Sequence, residues 1–171
     1  MLFGRFGRKP EIDCEHAHAA VLLIDMQTSF VEDLDPKKVP GLIKRQLAVL
    51  RKCCELDIPC VTLELRFGGD ETIQELASAF GKVPRQALFI KDRDDGFYDT
   101  ALHQKLQEWQ VSKLVLMGIN ANFCVRATAK SAIRLGYQII TSPGLIAGAS
   151  YHSEPDLRWY EQNGKIVTDP F

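Results

Sequence analysis

The chain lacks a long apolar run and lacks an excess of charge of either sign. Its longest apolar run near the N-terminus, Ala19 to Ile24, is far shorter than the roughly 20 residues that span a bilayer, and no signal-like segment precedes it. Twenty-one basic and 22 acidic residues leave a net charge of −1, which argues against a polyanion-binding surface. We therefore expect a cytoplasmic protein that binds neither membrane nor nucleic acid.

Glycine-rich nucleotide-binding motifs and Cys-x-x-Cys motifs are also missing. Neither Gly-x-Gly-x-x-Gly nor Gly-x-x-x-x-Gly-Lys-Ser/Thr occurs, which argues against dinucleotide and nucleotide sites. Five cysteines are present without any Cys-x-x-Cys, so neither a redox pair nor a zinc ribbon is indicated. A chain of 171 residues does not need disulfides, and we expect reduced thiols that mostly pack as small core residues.

A weak metal pattern lies near the start of the chain. Cys14, His16 and His18 alternate, so in an extended segment they would share one side and could bind zinc. Neighbouring side chains on one strand rarely close a tetrahedral site by themselves, and we favour an ordinary polar surface without metal. Glycine and proline punctuate residues 1–18, which predicts an irregular N-terminal arm.

Short apolar runs alternate with helical patterns from residue 19 onwards. Continuous apolar runs are typical of strands that are buried on both faces of a parallel sheet. Six strands are predicted at residues 19–24, 60–65, 87–91, 113–117, 137–141 and 165–168. Helical patterns occupy residues 41–57, 70–80, about 102–109, 122–135 and 154–162. This alternation predicts a single α/β domain over residues 19–171, with a mostly parallel, doubly wound sheet between two helical layers.

Three reactive side chains follow predicted strands at the edge where open α/β sheets bind ligands. Asp25 and Lys91 each end an apolar strand, and Cys124 lies at the start of the helix after the fourth strand. Free N–H groups at a helix start favour a thiolate and could hold an oxyanion. Asp25 would accept the thiol proton, while Lys91 would keep Asp25 ionised and stabilise the thiolate. The pattern predicts a nucleophilic site with a lowered Cys124 pKa.

Each of these residues also has a plainer explanation when it is taken alone. The cysteine could be a packed thiol, the aspartate a helix cap, and the lysine a side chain that reaches water. Only their conjunction at matching strand ends favours catalysis.

Further side chains are candidates for contact with a substrate. Arg66 follows a strand end and could bind a carboxylate. Phe30, Phe97 and Phe123 could line a small apolar pocket, although core packing explains each of them equally well. Gln27, two residues after Asp25, is the remaining candidate.

Three ordered motifs resemble the isochorismatase-like cysteine hydrolases. They are Val21-Leu-Leu-Ile-Asp25-Met-Gln27-Thr-Ser-Phe30, then Ile90-Lys91 with Phe97 six residues on, then Gly118-Ile-Asn-Ala-Asn-Phe-Cys124-Val125-Arg-Ala-Thr128-Ala. The resemblance spans about residues 19–147 and implies a Rossmann-like three-layer fold with an Asp25-Lys91-Cys124 triad. It also implies a cis peptide bond between Ile119 and Asn120, which would direct the Asn120 and Cys124 N–H groups at an oxyanion.

Departures from the family pattern narrow the expected reaction. Nicotinamidases of this family carry an Asp-x-His and a further His after the second strand to bind a metal, whereas residues 63–67 here read Leu-Glu-Leu-Arg-Phe. True isochorismatases lack the nucleophilic cysteine, so Cys124 argues against cleavage of a vinyl ether. Ala121, Asn122 and the pair Asp95-Gly96 replace residues that are usual in the family, which leaves the substrate open.

The sequence therefore predicts a metal-independent cysteine hydrolase without a cofactor. It would act on a small amide, carbamoyl or related C–N compound through a thioester on Cys124. Relatives commonly assemble, so we expect a homo-oligomer, either a dimer or a tetramer. Two alternatives stay open: an inactive binding or interaction module with this fold, and a redox-sensing thiol at Cys124.

Overall fold

A computed structural model describes residues 16–148 and 154–171 as strands, helices and connecting loops. The strands are β1 (Ala19–Ile24), β2 (Cys60–Leu65), β3 (Gln86–Lys91), β4 (Lys113–Ile119), β5 (Gln138–Thr141), β6 (Ile146–Ala147) and β7 (Lys165–Ile166). The helices are α1 (Thr28–Glu32), α2 (Val39–Leu56), α3 (Gln74–Phe80), α4 (Leu102–Glu108), α5 (Cys124–Arg134) and α6 (Leu157–Asn163). Nowhere in these two ranges is a helix both long enough and apolar enough to cross a membrane.

The sheet has seven strands rather than the six that the sequence predicted. The missed strand, β6, contains two residues, and the missed helix, α1, contains five. Elements of this length carry too few residues to show a hydrophobic period. The predicted strands all exist, and every pairing between them is parallel.

The central strand β1 explains why helices cover both faces of the sheet. Its six residues are all buried. Leu22 and Ile24 pack into the core that α4, α5 and α6 complete, whereas Val21 and Leu23 pack into the core beneath α2 and α3. Successive side chains of a strand point to opposite faces, and each buried leucine or isoleucine stabilises the fold by about 1.5–3 kcal/mol. The three-layer α/β prediction is confirmed.

The strand order places a crevice at the end of β1. The order is β3-β2-β1-β4-β5-β7, with β6 paired to β4. The chain therefore builds from β1 towards one edge through β2 and β3, and then returns to the other side of β1 with β4. Connections that leave β1 and β4 diverge at this reversal, which is where open α/β sheets bind ligands.

Gly118 lets the two strands approach each other at this point. It pairs with Ile24 in the register of β1 and β4, and its φ is +136°. A Cβ atom at this position would lie 2.0 Å from the carbonyl oxygen of Ile24. Only glycine fits this contact, which holds the end of β1 against the segment that leads to Cys124.

Candidate active site

The ends of β1 and β3 bring a carboxylate and an ammonium together. Lys91 Nζ lies 2.8 Å from Asp25 Oδ2, and the two side chains are 0% and 1% exposed. Strand β2 separates β1 from β3, so the long lysine stem spans it to reach Asp25. The same ammonium donates to the carbonyl oxygen of Arg93 at 3.2 Å. The predicted proximity of Asp25 and Lys91 is therefore present as a buried ion pair.

Asp25 keeps one carboxylate oxygen without a hydrogen-bond donor. Lys91 occupies Oδ2, while Oδ1 has no donor among the described residues. The Cys124 thiol lies close enough to this carboxyl to lower the pKa of Asp25 as a hydrogen-bond donor, although it falls outside hydrogen-bond geometry with Oδ1. Burial raises the pKa of Asp25 above its usual value, Lys91 opposes the rise, and the charge of Asp94 adds to it. Oδ1 is thus available to accept a proton.

The backbone of Asp25 lies in an uncommon conformation. Its φ is +50°, in the left-handed region that costs an ordinary residue about 1–2 kcal/mol. Its N–H donates to the carbonyl oxygen of Leu63 at 2.9 Å, which helps to hold the turn at the end of β1. Strained backbone of this kind concentrates at functional sites, where it fixes the direction of a side chain.

Cys124 begins α5 and lies beside both charged groups. Its side chain is buried, and its Sγ lies 3.5 Å from Asp94 Oδ1. The peptide bond between Ile119 and Asn120 is cis, as the family resemblance implied. The N–H groups of Asn120 and Cys124 have no backbone acceptor within the described ranges, as is usual in the first turn of a helix. Both remain candidates for holding an oxyanion.

The expectation of a low Cys124 pKa is wrong. Burial raises the pKa of this thiol far above its usual range, and the Asp25 carboxylate raises it further. Lys91 opposes these effects only in part, and Asp94 adds a smaller increase. The prediction from sequence counted the helix start and the lysine, but not the loss of water or the carboxylates. The thiol of the free protein is protonated at neutral pH and needs a base to react.

The pH dependence of alkylation tests this assignment. We expect iodoacetamide to modify Cys124 slowly at neutral pH and faster only in alkaline solution, because a thiolate is the reactive form. Asp94→Asn removes a negative charge and should move the profile to lower pH, whereas Lys91→Met should move it to higher pH. Mass mapping across pH measures the rate, with half-buried Cys54 as the internal reference. A wild-type midpoint near the value of free cysteine, about 8.5, contradicts the burial argument.

The loop between β4 and α5 is fixed by elements that the sequence did not connect with the site. The Ala121 N–H donates to the carbonyl oxygen of Ala147 in β6 at 2.8 Å. The buried Tyr160 hydroxyl of α6 donates to the carbonyl oxygen of Ala121. The Asn122 side chain accepts a hydrogen bond from the Asp156 N–H at 2.8 Å. These bonds set the position from which Cys124 enters the helix.

A cavity of about 360 Å³ opens beside Cys124. Its lining includes aspartates, apolar side chains and the nucleophile: Asp25, Phe30, Asp33, Leu65, Asp94, Ile119, Asn120, Phe123 and Cys124. The volume lies at the small end of the range for ligand sites, so it fits a small molecule. The structure thus brings six of the predicted site residues to one cavity, namely Asp25, Phe30, Ile119, Asn120, Phe123 and Cys124.

Gln27 does not line this cavity, although the sequence suggested contact with substrate. Its side chain is buried and is used by the protein itself. Its Nε2 donates to the carbonyl oxygens of Leu65 and Asp70, at 3.1 and 2.7 Å, and its Oε1 accepts from the Leu65 N–H at 2.7 Å. Gln27 therefore connects the start of α1 by hydrogen bonds to the end of β2 and to the loop at Asp70.

Arg66 and Phe97 also lie outside the cavity lining. Arg66 is exposed, and its Nε lies 2.6 Å from Asp92 Oδ1, so its charge already has a partner. Phe97 packs against the core beneath α4 and α5 and stacks on Tyr137, with 5.9 Å between ring centroids. For Phe97 the core explanation holds, and neither residue is placed to touch a molecule beside Cys124.

Sequence reasoning missed Asp94. It follows Lys91 by three residues in a strongly charged turn, and it lines the cavity with its carboxylate against the nucleophile. The available signal is the run of charged residues Asp92-Arg93-Asp94-Asp95 directly after β3. Residue type alone could not show which of these side chains faces the cysteine.

The possible zinc pattern near the N-terminus falls only partly on residues that the structure describes. Cys14 and the rest of residues 1–15 lie outside them. His18 Nδ1 lies 2.9 Å from the carbonyl oxygen of Gln110, and the His16 ring meets the Phe171 ring edge-on at 5.2 Å between centroids. Within residues 16–148 and 154–171, no group of three or more His, Cys, Asp or Glu side chains could hold a metal ion.

Comparison with known proteins identifies the class to which this fold and cavity belong. The nicotinamidase SaPncA from Staphylococcus aureus has the same fold, with a TM-score of 0.76 at 19% identity, over 88% of this chain and 97% of that one. A family model described as the isochorismatase domain matches residues 19–154. Fold and family model together define an isochorismatase-like hydrolase. The chain belongs to the isochorismatase family.

Two curated relatives extend over most of the chain. The uncharacterized isochorismatase family protein YaaI from Bacillus subtilis (strain 168) is 26% identical over 150 residues, which cover 78% of this chain and 83% of the relative. Streptothricin hydrolase from Streptomyces noursei is 27% identical over 146 residues, which cover 81% of this chain and 52% of that protein. The chain thus matches most of the length of one relative and about half of the other.

Proposed function

We propose that this protein is a cysteine hydrolase of a small amide, carbamoyl or related C–N compound, and that it works through a thioester on Cys124 without a metal. One observation carries the proposal. Asp25 is held through Oδ2 by buried Lys91, keeps Oδ1 without a donor among the described residues, and lines the same cavity as Cys124. A positioned base beside a nucleophile, with backbone N–H groups nearby to hold an oxyanion, is the arrangement that acyl transfer requires.

The proposed reaction begins with transfer of the thiol proton to Asp25 Oδ1 as Cys124 Sγ attacks the carbonyl carbon. The Asn120 and Cys124 N–H groups donate to the resulting oxyanion. Asp25 then gives the proton to the leaving nitrogen as the C–N bond breaks, which releases the amine and leaves a thioester. Asp25 next takes a proton from water, whose oxygen attacks the thioester. The acid leaves, and the sulfur recovers the proton.

Lys91 supports this cycle without touching the substrate. Burial alone favours the protonated form of Asp25, which could not act as a base. The ammonium opposes that effect and fixes the carboxylate through Oδ2 at 2.8 Å. Lys91 is thus a positioning residue, which favours the ionised form of Asp25 and fixes the orientation of its carboxylate.

The thiol chemistry favours hydrolysis over a redox role, and two related proteins carry the names of hydrolytic enzymes. One relative is named as a hydrolase and one structural neighbour as a nicotinamidase, which is the name of an amidase. A redox-sensing thiol needs a thiolate at neutral pH, whereas burial and Asp25 hold the pKa of Cys124 high. The raised pKa instead fits a nucleophile that is deprotonated only when substrate is bound.

We also propose that the chain assembles with copies of itself. Strand β3 lies at one edge of the sheet, and its Leu88 and Ile90 side chains are 48% and 39% exposed. An edge strand with exposed apolar side chains offers backbone hydrogen-bonding groups and apolar surface to a second copy of the chain.

Trapping of an acyl-enzyme tests the proposed function. We expect wild-type protein, quenched during reaction with a library of small amides, to gain the mass of an acyl group that peptide mapping places on Cys124. Cys124→Ala should give no adduct, whereas Cys54→Ala, which changes a cysteine outside the cavity lining, should behave like wild type. Turnover retained by Cys124→Ala contradicts the proposal. Saturable binding without turnover of any amide supports a binding module instead.

A further inference from the structure

The cavity beside Cys124 has an acidic lining. Asp25, Asp33 and Asp94 contribute carboxylates, and none of its lining residues in the described part of the chain is Lys, Arg or His. Lys91, which does not line the cavity, neutralises Asp25 through the buried ion pair. The charge of Asp94 is not offset in this way.

The exposed Asp94 carboxylate accepts a hydrogen bond from the reacting thiol. Its Oδ1 lies 3.5 Å from Cys124 Sγ, and it forms no ion pair among the described residues. The neighbouring arginines have other partners: Arg66 pairs with Asp92, and the Arg93 guanidinium lies 4.7 Å from the centroid of the Tyr98 ring. A molecule attacked by Cys124 therefore lies within reach of this carboxylate.

A second, independent observation indicates that the cavity takes a bound molecule. Asp25 lines the same cavity and is almost wholly buried, and its Oδ1 has no hydrogen-bond donor among the described residues. Buried polar atoms in native structures nearly always have a partner, and an exception at a cavity fits a group that acts on a bound molecule. The site thus places two carboxylates beside the sulfur: Asp25 is the proposed base, and Asp94 remains to contact the rest of the bound molecule.

The rest of the lining suits an organic cation. Phe30 and Phe123 contribute aromatic rings, and Leu65 and Ile119 contribute aliphatic surface. Carboxylates combined with aromatic faces bind ammonium groups through charge and cation–π attraction, and they disfavour carboxylates and phosphates. Arg66, which the sequence suggested as a partner for a substrate carboxylate, does not line the cavity.

We propose that the substrate is a small cationic amide, whose ammonium or amidinium group lies a few bonds from the scissile carbonyl and pairs with Asp94. This inference deepens the proposed function and rests on it. A bound cation would also promote ionisation of the Cys124 thiol. Negative charge from Asp25 and Asp94 helps to keep the thiol protonated, and a bound cation offsets that charge as the reaction begins.

Three amides that differ only in their terminal group test the charge preference. They are 4-(trimethylammonio)butanamide, its neutral isostere 5,5-dimethylhexanamide, and the anion glutaramate. We expect wild-type kcat/KM to be about twofold to fivefold higher for the cation than for the neutral isostere, and lowest for the anion. The preference should shrink as ionic strength rises, because salt screens an exposed carboxylate.

Variants of Asp94 test whether this side chain causes the preference for the cationic amide. Asp94→Asn should bring the cation-to-neutral ratio of kcat/KM close to one, whereas Asp94→Glu should keep most of it. Asp99→Asn is the matched control, because Asp99 belongs to the same exposed segment, does not line the cavity, and has a φ of +51° that asparagine accepts. A ratio that is unchanged in Asp94→Asn overturns the inference.

Binding to Cys124→Ala separates this inference from the proposed function. Calorimetry with the cation and its neutral isostere measures charge preference when no reaction occurs. Turnover by wild type together with equal binding of the two amides overturns the cationic substrate and leaves the hydrolase in place. Tighter binding of the cation, without turnover or adduct in wild type, overturns the hydrolase and leaves the charge preference standing.

Discussion

Asp25→Asn is expected to slow acylation of Cys124 by about 10³-fold to 10⁴-fold. Burial and nearby carboxylates hold the pKa of the thiol too high for it to ionise unaided at neutral pH. Asp25 supplies the oxygen that receives the proton, since its Oδ1 has no donor among the described residues while Lys91 occupies Oδ2. Asparagine has nearly the same shape but cannot act as a base. Single-turnover kinetics with a substrate amide measures the loss.

The same substitution should have the opposite effect on simple alkylation. Removal of the Asp25 charge lowers the pKa of Cys124, so iodoacetamide should modify the variant faster than wild type at neutral pH. Slow acylation combined with fast alkylation identifies the loss of a base. A decrease in both rates indicates instead that the β4–α5 loop has moved. Acylation at the wild-type rate contradicts the assignment of Asp25 as the base.

The positions of Asp25, Lys91 and Cys124 could be predicted because they depend mainly on the ends of secondary structure. A buried parallel strand is a continuous apolar run, and its last residue lies at the ligand-binding edge of the sheet. Asp25 follows β1 directly, and Lys91 ends β3. The periodic pattern of residues 122–135 likewise placed Cys124 at a helix start. These inferences require residue type and order, and no knowledge of where a side chain points.

Features that depend on side-chain direction could not be predicted in this way. Gln27 and Arg66 carry suitable groups at suitable positions, but the protein's own carbonyl and carboxylate oxygens already bind them. Asp94 contacts Cys124 only because the turn after Lys91 bends towards the sulfur. The direction of the Cys124 pKa shift followed from burial and two carboxylates, which are properties of the assembled site.

Lys91→Met is expected to lower the free energy of unfolding by about 3–5 kcal/mol at neutral pH. The substitution keeps the apolar stem but leaves the 1% exposed side chain of Asp25 without its ion-pair partner. Removal of one member of a buried pair is costly because the remaining charge has neither partner nor water. Urea unfolding of the variant and wild type measures the difference.

The pH dependence of this loss of stability distinguishes an unpaired buried charge from a packing defect. Burial already raises the pKa of Asp25 in the folded protein above its unfolded value, and loss of Lys91 raises it further. A group whose folded pKa is raised stabilises the fold below the unfolded pKa, and this contribution disappears as pH rises through the folded pKa. The Lys91→Met variant should therefore be closest to wild type near the unfolded pKa of an aspartate, about pH 4, and should lose stability progressively as the solution approaches neutrality. A deficit that is constant across this pH interval indicates a packing defect instead.

The double variant Asp25→Asn/Lys91→Met completes the test. With both charges absent, no buried carboxylate remains to be ionised, so the double variant should be more stable than Lys91→Met at neutral pH. Its stability should also vary less between acidic and neutral solution, because the asparagine side chain that replaces Asp25 does not titrate. If the double variant is instead the least stable of the three proteins at neutral pH, the two side chains stabilise the fold independently, and Lys91 does not act through Asp25.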